Sequence, residues 1–244
     1  MSAPVLEMFD NFTEGYRDHF STKPSARTYS FRKRLSLACE LAAGLSGRML
    51  ECAAGTGEIT NALLGSGRFT EASIVDISPQ MLDSTKRILT QHEHSARCDF
   101  VNYDIFKYRP ESGEPYDLIV CLGLVAHTGR LGELLEHLRS MLADNGALLL
   151  QTSLDDHLGT RIVRALSSRR YASRFGYSVS YYRHQDILDA CKEADLKVTD
   201  MRRHTVGIPF GDRVWARGSY HVERQLESWA ARHGAEALYL LGHS

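Results

Sequence analysis

Short apolar runs alternate with amphipathic segments from residue 48 onward. The runs "RMLECA", "ASIVDI", "CDFVNYD" and "YDLIVCLG" have the length and the buried character of parallel strands. Between them, apolar residues recur every three or four positions, as on one face of a helix. This alternation predicts an α/β protein with a doubly wound, mostly parallel sheet.

The helices and the later strands are marked by local signals. In "SPQMLDSTKRIL", Ser78 is expected to cap a helix and Pro79 to lie in its first turn. "LGELLEHLRSML" predicts a second helix, over 131–142, that Asn145-Gly146 ends. "ALLLQTS" is then the fifth strand, "HQDILDACKEAD" a helix, and "LKVTDMRRHTV" and "GAEALYLLGH" the last two strands.

Two regions fall outside the alternation. Residues 1–47 form a mostly helical lead-in, and residues 153–183 are inserted after the fifth strand. We therefore expect an N-terminal helical cap over 1–47. The main domain is expected over 48–244, with a helical substrate lid at about 153–183.

Composition and charge limit the classes of binding partner that we expect. The chain has 244 residues, with 29 basic and 30 acidic side chains, so no overall positive field attracts nucleic acid, and we expect no such partner. The five cysteines are scattered without a C-x-x-C pair, and there is no H-E-x-x-H, so we expect no metal site. No signal peptide and no apolar run long enough to span a membrane is visible, which predicts a cytoplasmic protein.

The stretch "ECAAGTGEIT" predicts a glycine turn between the first strand and a helix. Glu58 follows Gly57, where a P-loop needs lysine, so a nucleoside triphosphate is disfavoured. Gly55 and Gly57 half-match a dinucleotide turn, and Asp76 after the second strand suits ribose hydroxyls. Glu51 would repel a pyrophosphate, however, and favours a cofactor with positive charge.

Five ordered motifs carry a family resemblance over roughly residues 45–155. They are "LECAAGTGEIT", "SIVDIS", "NYDIF", "YDLIVCLGLVAH" and "LADNGALLLQTS". Together they resemble class I S-adenosylmethionine-dependent methyltransferases. The resemblance implies a Rossmann-like seven-stranded sheet with an antiparallel last strand. The lead-in resembles more loosely that of the small-molecule branch, including quinone-biosynthesis methyltransferases.

The resemblance also implies a binding role for particular residues. The residues implied at the methionine end of S-adenosylmethionine are Glu51, Ala53, Gly55 and Gly57. Those implied at the ribose and adenine are Asp76, Ile77, Asp104 and Ile105. Leu122 and Gly123 would border the methyl group, and Tyr16 would close the pocket from the lead-in. Ala53 stands where the family commonly has glycine, and a methyl group suits this position if the backbone keeps φ negative.

His127, on the loop after the fourth strand, is the candidate general base for an acceptor that must lose a proton. The alternative is a histidine that shapes the loop. Motifs of the nucleic-acid-modifying branches are absent: "CLGLV" replaces Asn/Asp-Pro-Pro-aromatic, and Val120 precedes Cys121, where the cytosine-C5 enzymes have proline. Cys121 is therefore expected to be a buried strand residue.

The insertion is rich in arginine and aromatic residues. Residues 157–185 contain six arginines and no Asp or Glu. This pattern suits a lid for an aromatic or anionic small molecule, a helix on an anionic membrane, or a solvated helix with Ile162 and Leu166 packed inward. In "FRKR", the cations Arg32, Lys33 and Arg34 are expected to be solvated.

Three functions stay open at this point. The first is a methyltransferase acting on a small-molecule acceptor, with oxygen favoured over nitrogen and carbon. The second is a nicotinamide-dependent oxidoreductase, although no Tyr-x-x-x-Lys pair is present in the insertion. The third is a non-catalytic protein that binds S-adenosylmethionine. The 206–235 segment is a further lid or a homodimer surface, or it packs Trp215 and Trp229 within the subunit, which is the simpler expectation.

Overall fold

A seven-stranded sheet forms the centre of the molecule. The computed structural model describes residues 5–10 and 23–244, apart from the side chains at 170, 171 and 175. The strands are β1 (Gly47–Cys52), β2 (Phe69–Asp76), β3 (Cys98–Asn102), β4 (Tyr116–Leu122), β5 (Leu142–Ser153), β6 (Leu196–His204) and β7 (Glu236–His243). Their order in the sheet is β3-β2-β1-β4-β5-β7-β6, and only β7 runs antiparallel to its neighbours. The predicted fold is confirmed.

Helices cover both faces of the sheet. They are α1 (residues 5–10), α2 (Ala26–Leu41), α3 (Glu58–Gly65), α4 (Pro79–Gln91), α5 (Val125–Thr128), α6 (Leu131–Arg139), α7 (Leu158–Phe175), α8 (His184–Glu193), α9 (Gly211–Gln225) and α10 (Glu227–His233). Two 3-10 turns lie at Ser95–Arg97 and Ile105–Lys107. As expected, Ser78 caps α4 by accepting from the Met81 amide, and Pro79 is its first residue.

The core has one apolar layer on each side of the sheet. On β4, Ile119 and Cys121 face the layer that includes α6, whereas Leu118 and Val120 face the layer built from α2, α3 and α4. All four side chains are fully buried. Two covered faces explain why this strand is a continuous apolar run instead of an alternating one.

One predicted boundary is wrong. Helix α6 ends at Arg139, and Leu142 begins β5 by pairing with Tyr116. The register between β4 and β5 then shifts, so Asn145-Gly146 lies in a bulge of β5 and does not end a helix. A Cβ on Gly146 would lie 2.8 Å from the Tyr116 carbonyl oxygen, which explains the glycine.

Two surface predictions are also wrong. Leu166 of α7 is 69% exposed and Ile162 is 38% exposed, so neither packs inward. Trp215 is 68% exposed, at a kink in α9, so it does not pack within the subunit, whereas Trp229 is 43% exposed but contacts the rings of His157 and His233. Among the described residues, no helix is long and apolar enough to cross a bilayer. The division into a cap over 1–47 and a main domain over 48–244 stays a prediction.

Candidate functional site

The glycine turn links β1 to α3 and needs two glycines. Gly55 and Gly57 have φ values of 60° and 84°, in the left-handed region that favours glycine. The Thr85 hydroxyl donates to the Gly55 carbonyl at 3.1 Å, and a Cβ on Gly57 would lie 2.8 Å from Thr85 Cγ2. Helix α4 therefore holds the turn closely, and a side chain at Gly57 would push the two apart.

Ala53 differs from expectation. Its φ is +60°, not negative, while its amide donates to the Val75 carbonyl at 2.9 Å. The turn thus imposes the glycine-like conformation on an alanine, at a cost of about 1 kcal/mol.

Glu51 is a buried carboxyl at the end of β1. Its Oε2 atom has no hydrogen-bond partner among the described residues. Burial, then the charge of Glu58 and that of Asp76, raise the pKa of Glu51 to about 8. A cationic group beside Glu51 would reverse this shift.

Asp76 ends β2 and is also buried. Burial raises its pKa to about 6, although the Ser78 amide, which donates to Oδ1 at 2.9 Å, opposes the shift. The Asn102 side chain donates to the carbonyls of Asp76 and Ile77 at 3.0 and 2.8 Å, which fixes the chain after β2. The carboxylate is thereby held at the carboxyl edge of the sheet.

The other predicted residues follow along the same edge. Asp104 caps the 3-10 turn after β3 and accepts from the Phe106 amide at 3.1 Å, while Ile105 is buried. Leu122 ends β4 and Gly123 follows it with φ of 82°. The strands β3, β2, β1 and β4 are neighbours in this order. Their carboxyl ends therefore bring Asp104, Asp76, Glu51 and Gly123 into one row at the carboxyl edge of the sheet. Tyr16 lies outside the described residues.

His127 lies in α5, just past this edge. Its Nδ1 is 2.9 Å from the Tyr177 hydroxyl, and its ring meets that of Phe9 edge to face at 5.1 Å. Burial lowers the pKa of His127 to about 4, so the imidazole is neutral at pH 7. Helix α1 also reaches this edge, where the Ser78 hydroxyl donates to Asp10 Oδ1 at 2.6 Å.

Sequence reasoning missed a buried polar cluster beside Gly123. Glu236, at the start of β7, accepts from the Ser30 hydroxyl at 2.9 Å, from Arg34 at 3.1 Å and from the Gln151 amide at 2.8 Å. Arg34 is therefore not simply solvated, as expected from "FRKR", but pairs with a partly buried acid. A polar Gln151 within the apolar run "ALLLQTS" was the one available signal.

Some basic residues of the insertion make contacts within the fold. Arg164 of α7 pairs with Asp155 and lies over the Tyr181 ring at 5.9 Å. Among the described residues, no group of three or more His, Cys, Asp or Glu side chains could hold a metal ion.

The edge suits S-adenosylmethionine chemically. Glu51 Oε2 is buried without a partner among the described residues, so it can accept from an ammonium group. The carboxylate of Asp76 can accept from a ribose diol, and the two glycines add no side chain to the turn. A pyrophosphate would instead meet two buried carboxyl groups.

Comparison with known proteins agrees with this chemistry. Residues 50–148 match a family model described as a methyltransferase domain. A highly reducing polyketide synthase of Gibberella fujikuroi is 31% identical over 140 residues, which are 53% of this chain and 5% of the synthase. The malonyl-[acyl-carrier protein] O-methyltransferase of Halalkalibacterium halodurans is 28% identical over 195 residues, which are 75% of this chain and 60% of that enzyme. The chain thus spans a small part of the synthase and about three fifths of the second relative.

A solved structure agrees at the level of the fold. N-methyltransferase NodS from Bradyrhizobium japonicum WM9, in complex with S-adenosyl-L-homocysteine, superimposes with a TM-score of 0.63 at 12% identity. The superposition covers 99% of this chain and 98% of NodS. The expected resemblance is confirmed: residues 50–148 are similar to a methyltransferase domain, and the chain has the fold of a methyltransferase solved with S-adenosyl-L-homocysteine.

Proposed function

We propose that the chain methylates an oxygen of a small-molecule biosynthetic acceptor, releasing S-adenosyl-L-homocysteine. The observation that carries the proposal is the pair of buried carboxyls, Glu51 and Asp76, with raised pKa values on the same sheet edge as His127. Such a pair is costly in an empty turn and is stabilised by a cationic, hydroxyl-bearing cofactor. When bound, S-adenosylmethionine supplies the methyl group on its sulfonium.

In this proposal, the residues along the carboxyl edge of the sheet bind different parts of S-adenosylmethionine. Glu51 accepts from the ammonium, with Ala53, Gly55 and Gly57 forming the wall of the turn. Asp76 accepts from the ribose hydroxyls. Ile77, Asp104 and Ile105 border the adenine, and Leu122 and Gly123 border the reacting methyl. We propose further that residues 1–47 cap the site, which is supported by the contacts of Phe9 and Asp10.

His127 orients the acceptor in this proposal. His127 Nδ1 lies 2.9 Å from the Tyr177 hydroxyl, and in the proposed tautomer Nδ1–H donates to that oxygen, which leaves a lone pair on Nε2. With a pKa of about 4 on His127, removing a phenol proton in advance would be uphill by about 6 pKa units, or about 8 kcal/mol. Nε2 therefore accepts a hydrogen bond from the acceptor hydroxyl and takes the proton only as the methyl moves.

The relatives favour an acyl-type acceptor. One is an O-methyltransferase acting on a malonyl-[acyl-carrier protein], and the other is a polyketide synthase. Both names concern acyl chains with carbonyl oxygens. We therefore favour a carbonyl-bearing biosynthetic intermediate over a simple phenol for this chain. Oxygen stays the preferred acceptor atom, and we expect the enzyme to work in the cytoplasm.

Calorimetric titration tests the cofactor half of the proposal. We expect micromolar binding of S-adenosyl-L-homocysteine, no binding of NAD⁺, and at least tenfold weaker binding after Asp76→Ala, because a charged hydrogen bond is lost. Asp99→Ala, an exposed acid on β3, is the matched control and should bind normally. NAD⁺ binding would favour the oxidoreductase instead.

Turnover tests the catalytic half. Methyl-labelled S-adenosylmethionine is incubated with carbonyl-bearing acyl thioesters and phenols, and the products are analysed by mass spectrometry. A labelled methyl on oxygen is the expected result. Tight cofactor binding with no labelled product from any acceptor would favour a non-catalytic binding protein.

A further inference from the structure

The polar cluster beside Gly123 brings together distant parts of the chain. It joins Arg34 of α2, Gln151 of β5 and Glu236 of β7. Gln151 lies on the strand next to β4, opposite Leu122 in the β4–β5 register. The cluster is therefore next to the position implied for the reacting methyl group, where an acceptor must lie.

The orientation of the Gln151 amide is fixed by its partner. A carboxylate can only accept, so the atom 2.8 Å from Glu236 Oε2 must be the amide nitrogen. Gln151 Oε1 then points elsewhere and has no hydrogen-bond partner among the described residues. Gln151 is only 2% exposed, and an unpaired buried acceptor of this kind costs about 1–3 kcal/mol. The fold tolerates this cost without an evident structural reason.

Arg34 presents a donor at the same place. Its Nη2 donates to Glu236 at 3.1 Å, whereas its buried Nε has no partner among the described residues. A Cβ on Gly123 would lie 3.8 Å from Arg34 Nη1 and 3.9 Å from Gln151 Oε1, and apart from its two chain neighbours no described residue has an atom closer. The space in front of Gly123 therefore holds a methyl-sized group, with a guanidinium donor and an amide acceptor beside it.

The charge of the cluster selects the ligand. Glu236 already neutralises Arg34: although burial raises the pKa of Glu236, Arg34, His204 and Ser30 lower it below its ordinary value, so the carboxylate is charged. A ligand carboxylate would thus bring an uncompensated negative charge next to Glu236. A neutral carbonyl oxygen can accept from Arg34 without that penalty.

We propose that Arg34 and Gln151 form the acceptor-recognition site, which binds a neutral carbonyl oxygen beside a hydroxyl or amide N–H. The carbonyl accepts from Arg34, and the hydroxyl or N–H donates to Gln151 Oε1. The acceptor class is thereby a neutral hydroxycarbonyl compound, an enol of a dicarbonyl compound, or an amide, and not a free carboxylate such as the one that a malonyl group carries, so on this point the chain differs from the malonyl-specific relative. This inference rests on the proposed methyl-transfer function and specifies its substrate.

Ligand-observed NMR tests the proposal on the full chain saturated with S-adenosyl-L-homocysteine at pH 7.5. Two matched pairs of probes differ only in a neutral amide against a carboxylate: acetoacetamide with acetoacetate, and salicylamide with salicylate. We expect each amide to bind at least tenfold more tightly than its acid. Gln151→Leu should weaken amide binding about tenfold, since a hydrogen bond to the site is lost.

Two further variants keep the test decisive. Arg34→Lys keeps a cation for Glu236 but removes the planar fork, so it should weaken amide binding and reduce the preference for amides even if Gln151→Leu folds poorly. Gln185→Leu, on the exposed face of α8, is the control and should behave as the parent.

The affinity for S-adenosyl-L-homocysteine separates the two ideas. This affinity should stay within about twofold of the parent value in Arg34→Lys and Gln151→Leu. If the parent does not bind S-adenosyl-L-homocysteine, that result counts against the proposed function itself. If the cofactor product binds but the acids bind as well as the amides, the recognition site is wrong. A preference that survives both variants, or no binding of any probe, would also overturn it.

Discussion

Glu51 is enclosed at the end of β1, and no cation of the described residues contributes to its pKa, so its ionisation depends on what binds there. With its pKa raised to about 8 by burial, the carboxyl is protonated in most ligand-free molecules at pH 7. An ammonium group lowers that pKa, and binding then releases a proton. Affinity for S-adenosyl-L-homocysteine should rise with pH below about pH 8, by at most about tenfold per pH unit.

Calorimetry in phosphate and in Tris, whose ionisation enthalpies differ, counts the released proton. Glu51→Gln should bind more weakly, with an affinity nearly independent of pH. Proton uptake by the parent, or a variant as pH-dependent as the parent, would show that Glu51 does not face the cofactor.

Ala53 provides a second prediction at this scale. Its φ of +60° is unfavourable for alanine and costs glycine nothing. Ala53→Gly should therefore raise the free energy of unfolding by about 0.5–1 kcal/mol, after allowing for the greater freedom of glycine in the unfolded chain. Urea denaturation measures it. Ala54→Gly, at the neighbouring position without positive φ, should destabilise, and equal losses in both variants would contradict the assigned backbone.

At the scale of elements, helix α7 is the clearest departure from a packed insertion. Leu166 is 69% exposed, so Leu166→Gln should change the free energy of unfolding by less than about 0.5 kcal/mol. Leu134→Ala in α6, where the side chain is fully buried, should cost about 2–5 kcal/mol by the same thermal or urea measurement. A large loss for Leu166→Gln would mean that this side chain is covered.

The elements that sequence predicts well are those with a strong local period. The burial of β4 on two faces is visible in the sequence as a continuous apolar run, and the start of α4 is visible as Ser78-Pro79. The α6–β5 boundary has no such signal, because Asn145-Gly146 serves a bulge as readily as a helix end. The glycine turn and its acids are likewise local, so they were found.

The acceptor side of the site could not be found in this way. Arg34 and Glu236 are 202 positions apart in the chain, and nothing near either residue indicates the other. Likewise, the positive φ of Ala53 follows from how α3 and α4 close the turn, which no single-residue preference expresses. Long-range pairing is therefore the part of this site that only the structure supplies.

For the whole molecule, buried ionisable groups set the dependence of stability on pH. The pKa of Glu51 is raised to about 8 and that of Glu223 to about 7, in both cases mainly by burial. A carboxyl whose pKa is raised by folding stabilises the folded state below its pKa in the unfolded chain, about 4.5. This contribution is lost as pH rises through the pKa of the folded state. Burial lowers the pKa of His127 and His204 to about 4, and their contribution is complete above about pH 6.5 and lost toward pH 4.

From pH 6.5 to 8, therefore, only losses operate among these four groups. The free energy of unfolding of the ligand-free protein should fall by about 2 kcal/mol over this range, as measured by urea denaturation. Glu51→Gln should remove about two thirds of the fall, whereas the exposed Glu114→Gln should leave it unchanged. A parent whose stability is flat or rising between these pH values would contradict the raised pKa values.

The two tryptophans differ in their surroundings in a way that has a practical consequence. Trp215 is largely in solvent, whereas the Trp229 ring lies 6.3 Å from that of His157, which caps α7, and 5.4 Å from that of His233. The fluorescence emission of Trp229 should therefore change when the start of α7 moves. The emission of the exposed Trp215 is red-shifted and forms the background. The chain carries its own fluorophore for following, without any label and in a stopped-flow instrument, whether the insertion moves when an acceptor arrives.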